Sequence, residues 1–385
     1  MKLLFLDVDM RYMNPTRGLV PAVLKECADT VFYGPGYQPL DVLRRGVEAF
    51  IDHEGPFDFV VGNDFSVLYA DMVAGEPSRL DNHQTRASEE SLRLLTDIGR
   101  SFVRYRGRKL LFLLECDAYF LSKSHTARLE DADAWYAVVW DRRFMESVRD
   151  SHDLAHEPFA HRANDNFFEF VVANDHRMIA MPHFVADSEF EWGALADRDA
   201  RWTVPGARYY YRASARAALA DAGVLHRQFP WMRMYGALAR LGMKPYANPL
   251  LLAVYGAQFN HGIESSRYSY TCGSAQHQHI RKHFEIPAKG TVLVTAPVRG
   301  LEAMGFVDGV NCFVRMPHEL VALHRELEDA PARAQSVASA GRELVWATHR
   351  VVHRGRQVRA SLEAICRGEF AGSGWENGGW GIRKG

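Results

Sequence analysis

Short apolar runs alternate with segments in which apolar residues recur at helical spacing through the first half of the chain. Continuous apolar runs of this kind are typical of parallel strands that are buried on both faces. The predicted strands are 3–8, 30–33, 57–62, 109–115, 134–139 and 178–181. Helical spacing covers 18–28 and 40–53 between them. The first half is therefore predicted to be a doubly wound α/β domain.

The alternation resumes after about residue 187, with predicted strands at 202–205 and 290–295 and an apolar segment at 250–255. The helices predicted in this half are 213–222, 318–328, 332–346 and 351–366. We predict two Rossmann-like domains, residues 1–187 and 188–367, followed by a loosely ordered Gly-rich tail, 368–385. Because ligands bind at the carboxyl ends of parallel strands, the cleft between the domains is the predicted site.

Composition narrows the class of protein. The 385 residues exceed one domain of about 150 residues, and 47% of them are hydrophobic, which excludes a disordered chain. Lys and Arg number 46 against 47 Asp and Glu, so the net charge of −1 gives no general attraction to nucleic acid. Five scattered cysteines without a CxxC motif favour a reducing compartment, and no apolar run approaches the length of a membrane-spanning helix. A cytoplasmic protein without a transmembrane segment is predicted.

The most specific motif pattern lies between Ser266 and about Glu363. It combines RKHFEIPAKG, a buried strand, a Gly-Leu-Glu loop, an Asp-Gly and paired helices that end in a His-x-x-x-x-Arg pattern. This order resembles the C-terminal domain of GT-B glycosyltransferases, particularly the group-one-like branch that includes the CgeB-type spore-coat proteins. The upstream segments WTVPGARYYYR, HRMIAMPHFVAD and FYGPGY are similar to parts of the same branch. The resemblance is good over the second half of the chain and weak over the first.

The resemblance implies a site for a nucleotide-sugar donor in the second domain. Glu285 is expected to accept hydrogen bonds from the ribose hydroxyls. Arg281 and Lys282, within a turn of it, and Arg212, at the start of a helix, are expected to neutralise the diphosphate. Further donor-pocket residues are Tyr268, Gln278 and Gly300. The implied co-substrate is a nucleotide sugar, a UDP-sugar first, with no other cofactor and no metal, because the cations take the metal's place.

The sequence departs from the family at one position. Many retaining enzymes of this superfamily carry a second glutamate seven residues before the ribose-binding one, and Gln278 occupies that position here. Glutamine still hydrogen-bonds a sugar hydroxyl but carries no charge. Retention and inversion of the sugar's stereochemistry therefore both stay open, and so does a changed donor.

Acidic residues follow two predicted strands of the first domain. Asp7 and Asp9 follow the first strand, and Glu115 and Asp117 follow a later one. If the sheet is parallel, both pairs point into the cleft, where a carboxylate can deprotonate an acceptor hydroxyl. Asp9 and Asp117 are the candidates for this base, with helix capping as the structural alternative.

The chain contains 17 histidines, and some have the spacing of metal ligands. An i,i+4 spacing on a helix suits zinc, but no pair has the HExxH signature. The pairs with this spacing are His152/His156 and His279/His283. We predict that His279 and His283 are partially exposed structural histidines. The candidate bases in the cleft are His83, His156 and His161.

Two other functions stay open. The start FLDVDM resembles the nucleophile strand of haloacid-dehalogenase phosphatases, in which Asp7 would attack phosphate and Asp9 would protonate the leaving group. Met10 and Arg11 replace the family's usual residues, and no Gly-Asp-x-x-x-Asp motif follows. The other alternative is a non-catalytic sugar- or nucleotide-binding protein with a glycosyltransferase fold.

We therefore predict a metal-independent GT-B glycosyltransferase. The second domain is expected to bind the donor, the first the acceptor, and the C-terminal helices are expected to return to the first domain. The acceptor stays open among a polysaccharide, a lipid-linked glycan, a protein and a modified base in DNA, for which the net charge gives no indication.

Overall fold

The computed structural model describes the chain except for residues 13–15, 77–82, 86, 115–117, 146, 151–159, 208, 227–233, 235–236, 239, 244–247 and 274–277. For residues 10–12, 83–85 and 118 it describes the backbone alone. Within the described part, no helix has both the length and the apolar character needed to cross a membrane.

The first half of the chain forms a six-stranded parallel sheet in the order β3-β1-β4-β6-β7-β8. Leu4 pairs with Val31 on one side and with Val60 on the other, and the strands' apolar side chains are buried on both faces. Two short strands, β2 and β5, form a separate antiparallel pair. The strands are β1 Lys2–Leu6, β2 Met10–Tyr12, β3 Asp29–Tyr33, β4 Phe59–Asn63, β5 His83–Thr85, β6 Lys109–Leu113, β7 Ala134–Ala137 and β8 Met178–Ala180.

Helices cover both faces of this sheet. The first helix buries Val20, Val23 and Leu24, which lie three and four residues apart and so share one face. The helices of this half are α1 Thr16–Cys27, α2 Leu40–Arg44, α3 Val47–Glu54, α4 Asp64–Leu68, α5 Ala70–Gly75, α6 Glu89–Leu92, α7 Leu95–Arg104, α8 Lys123–Leu129 and α9 Asn166–Asn174.

The second half contains a four-stranded parallel sheet in the order β12-β11-β10-β9. Its strands are β9 Asp199–Thr203, β10 Ser266–Thr271, β11 Val292–Thr295 and β12 Phe313–Val314. Its helices are α10 Tyr210–Asp221, α11 Pro249–Glu264, α12 Lys282–Ala288, α13 Leu320–Asp329 and α14 Pro331–Thr348. The apolar segment predicted at 250–255 is thus the first part of α11.

The C-terminal elements return to the first sheet, as expected for the last helices. Helix α15 (Val351–Cys366) packs on α1, and a Cβ at Gly355 would lie 2.4 Å from the Glu26 Cβ, so this glycine allows close helix contact. The tail forms an antiparallel hairpin, β13 (Phe370–Glu376) and β14 (Gly379–Lys384). The prediction of a loosely ordered tail was therefore wrong.

The hairpin contacts both halves of the molecule. The Ala180 amide of β8 donates to Ser373 Oγ at 2.8 Å, and the Gly378 amide donates to the Ala303 carbonyl at 2.9 Å. Trp375 is buried and stacks on His349, with ring centroids 4.8 Å apart. Gly378, with a φ of +77°, permits the tight turn of the hairpin, and Trp375 anchors it.

Candidate functional site

Two cations converge at the carboxyl edge of the second sheet. Arg212 projects from the first turn of α10, and Lys282 is the first residue of α12. Both reach Gly206, in the connection after β9: a Cβ there would lie 2.6 Å from Arg212 Nη1 and 2.7 Å from Lys282 Cε. Gly206 has a φ of +95°, which L-residues rarely adopt. A glycine here thus leaves room for both cations beside the backbone.

These two cations lack a carboxylate partner among the described residues. The Arg212 Nε donates to Cys272 Sγ at 3.3 Å, and its guanidinium lies 4.5 Å from the centroid of the Tyr209 ring. Burial lowers the pKa of Lys282, Glu285 opposes this shift, and the charge of Arg212 adds to it. Two neighbouring, largely buried cations without an ion-pair partner among the described side chains raise the free energy of the folded protein. Such a pair is suited to an anionic ligand.

Glu285 and Arg281 form an ion-pair network beside these cations. Arg281 Nη1 donates to Glu285 Oε2 at 3.2 Å, and Arg281 Nη2 donates to both carboxylate oxygens of Glu189 at 2.5 and 2.6 Å. Burial lowers the pKa of Arg281, but Glu189 and Glu285 outweigh it, and the net pKa is raised. Two carboxylates already neutralise Arg281, so Arg212 and Lys282 are the cations of this group without a carboxylate partner among the described side chains. Arg281 instead orients Glu285.

The remaining predicted donor-site residues lie in three different environments. Tyr268 is in the core of the second domain and donates to Glu328 Oε1 at 2.7 Å, so it is not placed beside the cations. Gln278, half-buried ahead of α12, has a buried Nε2 without a hydrogen-bond partner in the described part of the chain. Gly300 has a φ of +83°, and a Cβ there would lie 3.0 Å from the Phe144 ring of the first domain.

The histidines near the site are buried, and the prediction of partial exposure for His279 and His283 was wrong. His283 Nδ1 accepts from the Ile280 amide at 3.0 Å, and His283 Nε2 lies 3.0 Å from Thr295 Oγ1. Both ring nitrogens of His283 therefore have protein partners, which excludes a zinc site shared with His279 in this arrangement. Burial lowers the pKa of His283 to about 3.

The other histidines that the sequence singled out are His83, His152, His156 and His161. His161 is exposed in a short 3₁₀ turn, away from the contacts described above. His152 and His156 lie outside the described residues, and for His83 only the backbone is described. The zinc and base predictions for these three residues stay predictions.

In the first domain, Asp7 is a structural carboxylate. Arg17 Nη2 donates to Asp7 Oδ1 at 2.6 Å, the Ser66 hydroxyl donates to the same oxygen, and all three residues are buried. A nucleophilic aspartate must be free to attack phosphate, so this geometry contradicts the phosphatase alternative.

Asp9, a candidate base, is half-buried at the same edge of the sheet, where its amide donates to the Pro35 carbonyl at 2.8 Å. Asp117 lies outside the described residues.

Described contacts join the carboxyl edges of the two sheets. Thr16 Oγ1, at the start of α1, lies 3.2 Å from His183 Nδ1, in the segment that crosses between the halves. The ring of His279, ahead of α12, lies 5.9 Å from His183 and 5.7 Å from Trp140, which follows β7. The strand order places a topological switch between β1 and β4, where open α/β sheets bind ligands. Both carboxyl edges thus border one cleft.

Sequence reasoning missed Gly206 and Glu189 as parts of the site. The Pro-Gly pair at 205–206, between a strand and a helix, is a sequence signal for a special backbone position. Glu189 has no comparable signal, because its partner Arg281 lies 92 residues further along the chain.

The two facing parallel sheets define the GT-B fold, with two Rossmann-like domains. Comparison with solved structures identifies the same fold. HepE of Anabaena in complex with UDP matches with a TM-score of 0.50 and 12% identity, over 94% of this chain and 100% of that one. Its complex with UDP-glucose matches with a TM-score of 0.50 and 11% identity, over the same shares of the two chains.

A family match falls on the second domain. Residues 232–360, less than half of the chain, match the glycosyl transferase-like family. No curated protein matches the sequence. The predicted fold class is therefore confirmed, and residues 232–360 are similar to a glycosyl transferase-like family. The CgeB-type branch stays a prediction.

Proposed function

We propose that the protein is a glycosyltransferase that moves a sugar from a nucleotide diphosphate to an acceptor hydroxyl in the cleft. The observation that carries this proposal is the pair Arg212 and Lys282, two cations beside Gly206 without a carboxylate partner in the described part of the chain. A diphosphate is the anion that a nucleotide-sugar donor brings to the carboxyl edge of the second sheet. A UDP-sugar is our first choice of donor, since HepE, of the same fold, is in complex with UDP and UDP-glucose in its solved structures.

The proposed chemistry is a group transfer at the anomeric carbon of the sugar. The bond from this carbon to the diphosphate oxygen breaks, a bond to the acceptor oxygen forms, and the acceptor proton passes to a base. Negative charge accumulates on the leaving diphosphate, where Arg212 and Lys282 stabilise it without a metal ion. Glu285, oriented by Arg281, accepts from the ribose hydroxyls. Asp9 and Asp117 are the proposed bases, and both stereochemical outcomes stay open.

We also propose a cytoplasmic location. Cys27, Cys272, Cys312 and Cys366 are free thiols in the structure, which fits a reducing compartment.

A ligand-binding experiment tests the donor site. The melting temperature of the wild type is measured with UDP, GDP, CMP, dTDP and ADP, with and without magnesium. We expect one nucleotide to raise it without magnesium, and we expect Glu285→Gln to weaken that binding at least about tenfold, because the ribose loses a charged acceptor. Glu343→Gln, at an exposed position of α14, is the matched control and should bind as the wild type does.

The possible outcomes separate the alternatives. Nucleotide binding together with hydrolysis or transfer of the matching nucleotide sugar supports the transferase. Binding without any turnover supports a non-catalytic binding protein of this fold. The absence of binding to every nucleotide contradicts the assignment of the donor site.

A further inference from the structure

Arg212 is held in place by a sulfur atom and not by a carboxylate. Its Nε donates to Cys272 Sγ at 3.3 Å, and its guanidinium carbon lies 4.5 Å from the centroid of the Tyr209 ring. Arg212 is 2% exposed and Cys272 3%. The Nη groups of Arg212 have no hydrogen-bond acceptor among the described residues. The contacts with the sulfur and the ring therefore fix the guanidinium and leave its outer donors available.

The fold places Cys272 at the same edge of the second sheet as the two cations. It directly follows Thr271, the last residue of β10, which lies between β9 and β11. The Thr271 carbonyl accepts from the Ala296 amide, just after β11, at 3.1 Å, so the backbone here is tied to the neighbouring strand. Burial lowers the pKa of Lys282, and the Cys272 thiol is among the groups that oppose this shift. Cys272 is thus close to both Arg212 and Lys282.

The chemistry of sulfur explains why a thiol suits this position. The buried Arg281 donates to the carboxylates of Glu189 and Glu285, which neutralise its charge. A thiol sulfur is a weak hydrogen-bond acceptor and lacks the formal charge of a carboxylate. It can orient the planar guanidinium of Arg212 and still leave the positive charge to a ligand. Two neighbouring buried arginines are therefore held in different ways, one neutralised by acids and the other only oriented.

We propose that Cys272 is a positioning residue of the donor site, which holds the Arg212 guanidinium in the orientation that receives the diphosphate. The proposal rests on the proposed function and adds a residue to its site. Cys272 acts through Arg212 and does not itself contact the donor. Arginine recognises phosphate oxygens through parallel N–H donors in one plane, so rotation of that plane weakens the contact. Loss of the sulfur removes the side-chain hydrogen bond that fixes this plane.

Binding of inorganic pyrophosphate, measured by isothermal titration calorimetry, tests the proposal, because this probe carries the diphosphate charge without a nucleoside or a sugar. Cys272→Ala should weaken the binding at least about fivefold, because a methyl group accepts no hydrogen bond. Cys272→Ser should stay within about twofold of the wild type, because a hydroxyl oxygen accepts from the same N–H. Cys312→Ala removes another buried free thiol of the second half and should bind as the wild type does. Equal affinities of Cys272→Ala and the wild type would overturn the proposal.

A further variant separates the orientation of Arg212 from its charge. Cys272→Asp places a carboxylate beside Arg212, which should then be neutralised as Arg281 is. Without ligand, the melting temperature of Cys272→Asp should exceed that of Cys272→Ala. Its pyrophosphate binding should nevertheless be at least about threefold weaker than that of Cys272→Ala. A purely structural role of Cys272 predicts the same order of the two variants in both measurements, and that result would overturn the proposal.

A double-mutant cycle tests whether Cys272 acts through Arg212. If it does, Arg212→Met and Arg212→Met/Cys272→Ala should bind pyrophosphate equally weakly. A further loss of about threefold or more in the double variant would show that Cys272 acts by another route and would overturn the positioning role.

Nucleotide binding by the wild type is measured separately, which keeps failure of this proposal distinguishable from failure of the proposed function. Binding of pyrophosphate but of no nucleotide would overturn the proposed function, and with it the role of Cys272 at a donor site. Binding of UDP with the same affinity by the wild type and Cys272→Ala would overturn the role of Cys272 alone. A wild type that binds neither UDP nor pyrophosphate would overturn both.

Discussion

Arg212 and Lys282 illustrate how a candidate binding site differs from the rest of the fold at the scale of single residues. Lys289, which follows the last residue of α12, is also a buried lysine, but its Nζ lies 2.6 Å from Glu264 Oε1. Lys282 has no such partner among the described side chains, and burial lowers its pKa. We therefore expect the two lysines to make opposite contributions to stability, with Lys289 stabilising the fold and Lys282 destabilising it in the absence of an anionic ligand.

We predict that Lys282→Met raises the free energy of unfolding of the ligand-free protein by about 1 kcal/mol, since it removes a largely buried charge that has no carboxylate partner among the described side chains. The same variant should lose most of the nucleotide-dependent rise in melting temperature. Lys289→Met is the contrasting control and should lower the free energy of unfolding by about 1–3 kcal/mol, because Glu264 loses its partner. Urea denaturation with and without nucleotide measures both effects. A loss of stability in Lys282→Met would contradict the interpretation.

A second prediction at this scale concerns Gly206. Gly206→Ala should weaken nucleotide binding at least about tenfold, because its Cβ would push both Arg212 and Lys282 from their positions. Gly223→Ala is the matched control, because Gly223 also has a positive φ, +72°, but no atom within 4 Å of the added Cβ. Both variants should lose about 1 kcal/mol of stability from backbone strain. Isothermal titration calorimetry measures the binding, and equal affinities of the two variants would refute a steric role for Gly206.

The sequence predicted much of the candidate site where its residues lie close together along the chain. Arg281, Lys282 and Glu285 share the start of one helix, so the motif that carries one of them carries all three. The contribution of Glu189 depends on packing between distant segments, and no local pattern encodes it. Which of the neighbouring cations is neutralised, and which is left for a ligand, also depends on this packing.

At the scale of elements, local patterns predicted the strands that are apolar throughout. β4, β6 and β11 were each predicted within two residues of their observed ends. β10, a central strand of the second sheet, was not predicted, because its sequence SRYSYT is mostly polar. Ser266, Ser269 and Thr271 are nevertheless buried, because helices cover both faces of that sheet. Tertiary packing here overrides local polarity.

The C-terminal hairpin is an element whose stability depends on one aromatic contact. Trp375 is buried between His349 and Arg354, whose guanidinium carbon lies 5.1 Å from its ring centroid. We predict that Trp375→Ala lowers the free energy of unfolding by about 3–4 kcal/mol, because it leaves a cavity where the hairpin joins the two halves. Trp380→Ala, at a half-buried position of β14, is the matched control and should lose less than about half of that. Urea denaturation measures both, and equal losses would contradict an anchoring role for Trp375.

At the scale of the whole molecule, the sequence predicted two α/β halves but not the contacts that join them. These contacts are concentrated around buried histidines and an arginine. Arg354 Nε donates to the Pro182 carbonyl at 3.1 Å, and Arg354 Nη2 lies 2.7 Å from His349 Nδ1. Burial lowers the pKa of Arg354 to about 9. His183, His279 and His349 are contributed by segments far apart in sequence, so their common environment could not be read from the spacing of histidines.

The buried histidines where the two halves meet, His183, His279, His283 and His349, predict a dependence of stability on pH. Burial, with Arg281 as the next cause, lowers the pKa of His183 to about 3, and burial lowers the pKa of His283 to about 3. In the unfolded chain both imidazoles take up protons below about pH 6.5, whereas the folded protein keeps them neutral. The unfolded state then binds more protons, so the free energy of unfolding falls as the pH decreases from about 6.5 toward 3.

Each of the two histidines should contribute a slope of up to about 1.4 kcal/mol per pH unit below pH 6.5. We predict that urea denaturation between about pH 7.5 and about pH 5.5 shows this loss, in a range where carboxylates stay ionised. His283→Gln should lower stability at all pH values but flatten the slope, because it removes one titrating imidazole. His318→Gln, at an exposed position ahead of α13, is the matched control for the same substitution outside the buried histidines. If His283→Gln retains the full wild-type slope, the buried neutral His283 does not contribute to the pH dependence.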